Sequence, residues 1–331
     1  MGFRMTNQID CSDLNNFTSQ YWTDKWFKYK NFDKVLQSFF CKNEIYLRHP
    51  WEVIGIYKTL LKYLKRQNSD RYKQVHKGTP FFWIGWNSFL LKNYDQAIFY
   101  LDAALAEDKK NHPSHVWPTS GAAMFFKLQT PKFRIYYDRG YVIAPELYDI
   151  VNRELNRFNS KHGNNLSINH FIDSFVTKIL KEDNTAVITT LYAFIFQKDD
   201  IIEMIKLRGK HGGSIEPMIT HLFKGALIFE TLMKENHPQE GNSLGKIIGS
   251  SNIQTRYNYN QHHCRASSLE EIFSFINSQT ESAERAFYVT CKIRNTTAHN
   301  LIWNDLFTIE NYNKLYYSIL DAIFYVIQKE Y

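Results

Sequence analysis

Cys291-Lys292-Ile293-Arg294-Asn295-Thr296-Thr297-Ala298-His299-Asn300-Leu301-Ile302-Trp303 holds a concentration of chemically capable side chains between apolar flanks. An α-helix turns about 100° per residue, so Asn295 and His299, four apart, share a face. Arg294 lies roughly 140° from His299, and its long side chain reaches round. One face then offers a guanidinium, an amide and an imidazole. Such a set holds a phosphate and moves protons near neutral pH. Thr296 and Thr297 are mediocre helix-interior residues, so a helix end or kink is expected here. Ile293, Leu301, Ile302 and Trp303 are candidates for a contact with a second copy of the chain.

The same arginine-to-histidine spacing occurs at Arg71–His76 and Arg157–His162. There the arginine is followed by Tyr72 and Phe158. Only the Arg294 copy combines a polar neighbour, helical flanks and a position near the C-terminus.

On Arg294, Asn295 and His299 the segment resembles the signature of the HEPN superfamily: an arginine, a polar residue that is often asparagine, a few spacers and a histidine, near the end of a helical bundle. The resemblance covers roughly the last third of the chain. It implies a C-terminal helical bundle and a metal-independent RNA endonuclease that needs no cofactor. It also implies a composite site where two protomers of a homodimer meet. RNA supplies its own nucleophile, the 2′-OH, so the protein must shuttle protons and place positive charge on the scissile phosphate. A positioned imidazole contributes roughly 10²–10⁴-fold, and a fixed guanidinium stabilises charge developing on the phosphorane. By the resemblance, His299 transfers protons and Arg294 holds the phosphate. Asn295 orients a phosphate oxygen or the partner histidine. The products would carry a 2′,3′-cyclic phosphate and a 5′-OH. Family members also include non-catalytic modules that bind RNA, nucleotides or proteins, and toxins held inactive by an antitoxin. A regulatory ligand or an antitoxin is therefore a second kind of expected partner, and defence or toxin control a candidate role.

With 331 residues the chain is long enough for two domains. Hydrophobic residues make up 44% and charged residues 22%, which supports globular cores and argues against disorder. The formal charge of +7 is compatible with a polyanionic partner such as RNA. The four cysteines, Cys11, Cys41, Cys264 and Cys291, show no C-x-x-C pair and are read as free thiols of a cytoplasmic protein. No signal-peptide pattern opens the chain and no apolar run reaches membrane-helix length.

The expected fold is all-α: a mostly helical N-terminal domain, 1–210, carrying a small β-hairpin, and the HEPN-like bundle at 214–331. Helical pattern covers about 21–47. Pro50 sits at a first turn ahead of a stripe from Trp51 through Ile54, Tyr57, Leu60, Leu61 and Leu64. Phe81 to Asp108 reads as a helical hairpin with Gly85, Tyr94, Ala97 and Ala104 at tetratricopeptide-like packing positions, and only one such unit is found. The β-hairpin is expected near 133–143. Helices follow at about 145–159, 168–182, 184–197 and 199–208. No G-x-G-x-x-G or Walker A sequence supports a nucleotide-binding Rossmann unit. Arg208 to Gly213 looks like the linker, with Ser214 as an N-cap. Long helices are expected at 216–236 and 309–330, with others at about 267–279 and 281–293. Between them, Arg256-Tyr257-Asn258-Tyr259-Asn260-Gln261-His262-His263-Cys264-Arg265 interleaves basic residues with tyrosines. Arg256, Tyr257, Arg265 and Lys292 are the candidate RNA contacts. The adjacent His262, His263 and Cys264 lack a distant second ligand pair, so no metal site is assigned.

Overall fold

The computed structural model describes residues 48–67, 69–128, 143–182, 184–208, 216–260, 267–299, 306 and 308–331. Among these, all regular secondary structure is helical, in keeping with an all-α chain. The hairpin expected near 133–143 and the helix expected at 21–47 lie outside the described residues. No described helix is long and apolar enough to cross a membrane. The chain divides into two compact units, Met1–Pro145 and Glu146–Tyr331.

In the first unit, α1 (Pro50–Gln67) begins on the first-turn proline, with Glu52 near its N-terminus and Lys65 and Arg66 in its last turn. Those charges complement the helix dipole. Its stripe is buried: Val53, Ile54, Tyr57, Leu60, Leu61 and Leu64. Trp51 is 64% exposed. It lies roughly 120° around the helix from Tyr57, off the stripe it was expected to join. After α2 (Ser69–Gln74), α3 (Gly78–Leu90) and α4 (Tyr94–Asn111) form a hairpin, followed by α5 (Gly121–Phe126). Asn93 caps α4 by accepting from the Gln96 N–H. Helix α3 is apolar on almost every side because α1 and α4 both pack on it. A Cβ on Gly85 would stand 2.7 Å from Leu101 Cγ and 3.0 Å from the Ala97 carbonyl oxygen. Only glycine lets the two helix backbones approach this closely.

Helix α6 is Ile143–His162, and the second unit takes it up from Glu146. Helix α7 runs as Ile168–His170, a π-helical stretch Phe171–Val176, and Thr177–Lys181. Then come α8 (Thr185–Phe196), α9 (Lys198–Arg208), α10 (Glu216–Asn236), the short α11 (Leu244–Ile248) and α12 (Ser251–Tyr257), α13 (Leu269–Ser278), α14 (Ala283–His299) and α15 (Ile309–Glu330). Helices α10, α14 and α15 pack on one another, and α8 packs on α10. A Cβ at Gly225 in α10 would meet Phe194 of α8 at 2.5 Å and Ile319 of α15 at 2.8 Å, so this glycine sets a close three-helix approach.

The division at 145/146 differs from the 210–214 boundary read in the sequence. Its physical reason is visible in α6 and α15. Asp321, buried in α15, accepts from the Arg157 guanidinium, and His162 Nε2 is 2.8 Å from its second oxygen. Arg157 also reaches Glu154 at 3.2 Å and lies 4.2 Å over the Tyr317 ring. Residues 146–208 thus fold with the C-terminal helices.

A second buried polar cluster ties α8, α10 and α15. The Phe194 carbonyl, in the last turn of α8, has no intrahelical partner. His221 Nε2 approaches it at 2.9 Å, and Nδ1 lies 2.9 Å from the Tyr312 hydroxyl. A carbonyl only accepts, so the ring proton sits on Nε2 and Nδ1 accepts from the tyrosine. Burial pushes the Tyr312 phenol far above its ordinary pKa.

Candidate functional site

Helix α14 starts after Ser282, whose hydroxyl accepts from the Arg285 N–H at 3.2 Å. It buries Ala286, Phe287, Val289, Thr290, Cys291 and Ile293. The helix runs through Thr296 and Thr297 to His299, so Arg294–His299 makes up its last described turns. Both threonine hydroxyls find backbone partners. Thr297 donates to the Ile293 carbonyl at 2.6 Å, a bond along its own helix. Thr296 donates to the Ser267 carbonyl at 2.9 Å and accepts from the Ser267 N–H at 3.3 Å, pinning the approach to α13.

Arg294 is held in place by a fork. Its Nε donates to Glu230 Oε2 at 2.7 Å, and its Nη2 to Oε1 at 3.3 Å. Its Nη1 donates to the Asn295 side-chain oxygen at 3.1 Å. Glu230 is buried in α10 and also pairs with Lys234 at 2.6 Å. Burial pushes the Glu230 carboxyl up. Hydrogen bonds from Lys234 and Arg294, with their charges, more than offset this and hold it below the usual range. One carboxylate thus faces two cations, and the Arg294 side chain keeps 31% of its surface open. The backbone of α14 carries His299 about 7.5 Å further along the axis. The His299 side chain and Leu301, Ile302 and Trp303 lie outside the described residues. Ile293, a candidate for contact with a second copy, is fully buried within its own unit.

The proposed RNA contacts are placed differently from one another. Arg256 grips Glu330 with Nε and Nη2 at 2.6 and 2.7 Å and reaches the Lys329 carbonyl. Tyr257 is buried and donates to Glu330 at 2.6 Å, and His237 approaches the same carboxylate at 3.1 Å. Burial, with the Glu330 hydrogen bond, raises the Tyr257 phenol far above its ordinary range. Lys292 is buried with its ammonium 5.1 Å over the Tyr288 ring. Tyr257 and Lys292 are therefore buried, while Arg256 is exposed and engaged with Glu330. Arg265, with His262, His263 and Cys264, lies outside the described residues. Cys291 is disulfide-bonded, which corrects the reading of all four cysteines as free thiols. Spacing along a chain does not report which thiols meet in space.

Sequence reasoning missed two acids. Glu230 was hidden because it sits in a stretch read for its apolar pattern. Asp321 is the single charged residue between Leu315 and Ile327. A lone acid on the buried face of a helix needs a cationic partner, and that was the signal available. The Arg157–His162 spacing turns out to place both side chains on Asp321. Burial pushes the Asp321 carboxyl up, and the His162 hydrogen bond and Arg157 charge outweigh it, leaving it low.

Comparison of the chain with protein-family models, with curated proteins and with solved structures finds no match in any of the three.

Proposed function

We propose that the second unit is a metal-independent RNA endonuclease of the HEPN type, with Arg294, Asn295 and His299 as its reacting face. The observation that carries this reading is the Glu230 fork on Arg294. It sets the guanidinium one and a half turns before His299 and directs a third N–H to Asn295. A guanidinium fixed before substrate arrives loses little freedom when it binds the scissile phosphate. In the proposed reaction the 2′-OH attacks the adjacent phosphorus and the bond to the 5′-oxygen breaks. The imidazole of His299 transfers a proton at one of these oxygens, while Arg294 bears the phosphorane charge. The products are a 2′,3′-cyclic phosphate and a 5′-OH.

The test is incubation of purified protein with end-labelled RNA in EDTA, beside His299→Ala and Arg294→Ala. Cleavage that survives chelation and falls at least about 100-fold in His299→Ala supports the reading. Cleavage at wild-type rate in that variant, or none by wild type on any RNA, removes it.

The burial of Tyr257 and Lys292, with Arg256 already engaged by Glu330, favours a second reading, a non-catalytic module that binds RNA, a nucleotide or a protein through the Arg294–His299 segment. RNA retained without cleavage, and released by Arg294→Ala, would select it.

A further inference from the structure

The first unit gathers three side chains that neither reading of the second unit uses. His76 lies between α2 and α3. Asp108 is in the last turn of α4, and His112 is its C-cap. One imidazole nitrogen from each histidine and one Asp108 oxygen all lie within 4.8 Å of one another. His76 Nε2 is already 2.9 Å from Asp108 Oδ1. The two imidazole rings stand 5.1 Å apart at 72°, edge to face rather than stacked flat.

We propose that His76, Asp108 and His112 form a binding site for a divalent transition-metal ion of the zinc class. Four features support it. First, the donor set is two imidazoles and one carboxylate, which suits zinc and its neighbours and disfavours calcium or magnesium. Second, Asp108 is 7% exposed at the C-terminal end of a helix. The helix dipole is negative there, so a cation beside this carboxylate is favoured. Lys77, the buried ammonium close by, is instead joined to Glu107 at 3.0 Å and to two backbone carbonyls. Third, that Lys77–Glu107 pair ties the chain beside His76 to the end of α4, so the donors are brought together by the protein itself. Fourth, a Cβ on Gly78 would stand 2.3 Å from Asp108 Oδ1 and 2.6 Å from His76 Nε2. The glycine clears the space in which the donors converge.

Tetrahedral zinc, with bonds near 2.0–2.2 Å, separates its ligand atoms by about 3.3 Å. The donor atoms, now within 4.8 Å of one another, close to that by rotation of the two part-exposed histidine side chains. Three protein donors leave a fourth position for water or an incoming ligand atom.

Tag-free full-length chain, stripped with a chelator and dialysed, is titrated with zinc chloride in equilibrium dialysis and with cobalt chloride in visible absorption. The expected result is one zinc per chain and tetrahedral cobalt bands. Affinity should drop at least about 10-fold in His76→Ala and in His112→Ala, and also in Asp108→Asn. The double variant His262→Ala/His263→Ala should bind as wild type. Circular dichroism checks that each variant is folded, and the two histidine variants give independent readouts. Absence of zinc binding by the wild type, or undiminished binding in both folded histidine variants, would overturn the assignment. So would loss of binding in the 262/263 variant alone. The readout is metal content, so its failure leaves the nuclease reading where it stands.

Discussion

In the proposed reaction a buried carboxylate and an incoming phosphate would compete for the Arg294 guanidinium. Glu230 holds two of its N–H groups, and Lys234 keeps the carboxylate from being neutralised by Arg294 alone. Glu230→Ala should therefore cost about 1–3 kcal/mol of stability, because two cations lose their partner while Arg294 stays partly solvated. Urea unfolding measures this. Glu230→Gln should keep the packing yet lower RNA cleavage by misplacing Arg294, with the larger effect on kcat than on KM. Equal cleavage by Glu230→Gln and wild type would separate the fork from the chemistry. Acid provides another handle. Glu230 and Asp321 both have folded pKa values below their ordinary ones. Their stabilising contribution is present above the unfolded values, near pH 4, and is lost as pH falls through the folded values. The urea midpoint should drop as pH is lowered below about 4 and drop less steeply in Asp321→Asn.

Between elements, close packing and buried ion pairs set the contacts. Gly85→Ala gains up to about 1 kcal/mol of helix propensity. It also drives a methyl against the Ala97 carbonyl oxygen and the Leu101 N–H, which are backbone atoms and cannot yield singly. A net loss of about 1–3 kcal/mol is expected, read as a lowered thermal midpoint. Helices α6 and α15 are joined through Asp321, Arg157 and His162. Asp321→Ala takes a partner from both His162 and Arg157, leaving Arg157 with Glu154 alone, and should cost about 1–3 kcal/mol. A loss below about 1 kcal/mol would mean that apolar packing alone holds α6 on α15.

For the whole molecule, the proposed chemistry asks for two proton-transfer groups, and one protomer supplies one His299. An isologous contact brings each patch against its copy and provides the second without extra sequence. The active species is therefore expected to be a homodimer with two His299 and two Arg294 across one groove. Mixing wild type with excess His299→Ala under exchange conditions checks this. Activity following the fraction of wild-type pairs supports a composite site. Activity proportional to wild-type chains, or a fully active monomer by sedimentation, excludes it.

Helical periodicity is a local property, so the order of residues was enough to mark most of the helical segments of this chain. The stripe of Tyr57, Leu60 and Leu64, the Asn93 turn, the small residue Gly85 and the apolar run from Leu315 to Ile327 were all legible from local spacing alone. Arg294, Asn295 and His299 could be placed on one helix for the same reason. Partner choice is a non-local property, and it took the folded chain to settle it. Glu230 is 64 residues from Arg294 and Asp321 is 164 from Arg157. No periodicity links positions so distant. Arg256 looked free to meet phosphate because its partner, Glu330, lies 74 residues away. The 145/146 division followed from the same cause: a glycine-bearing linker marks where a chain can bend, while buried contacts such as Arg157–Asp321 decide which helices share a core.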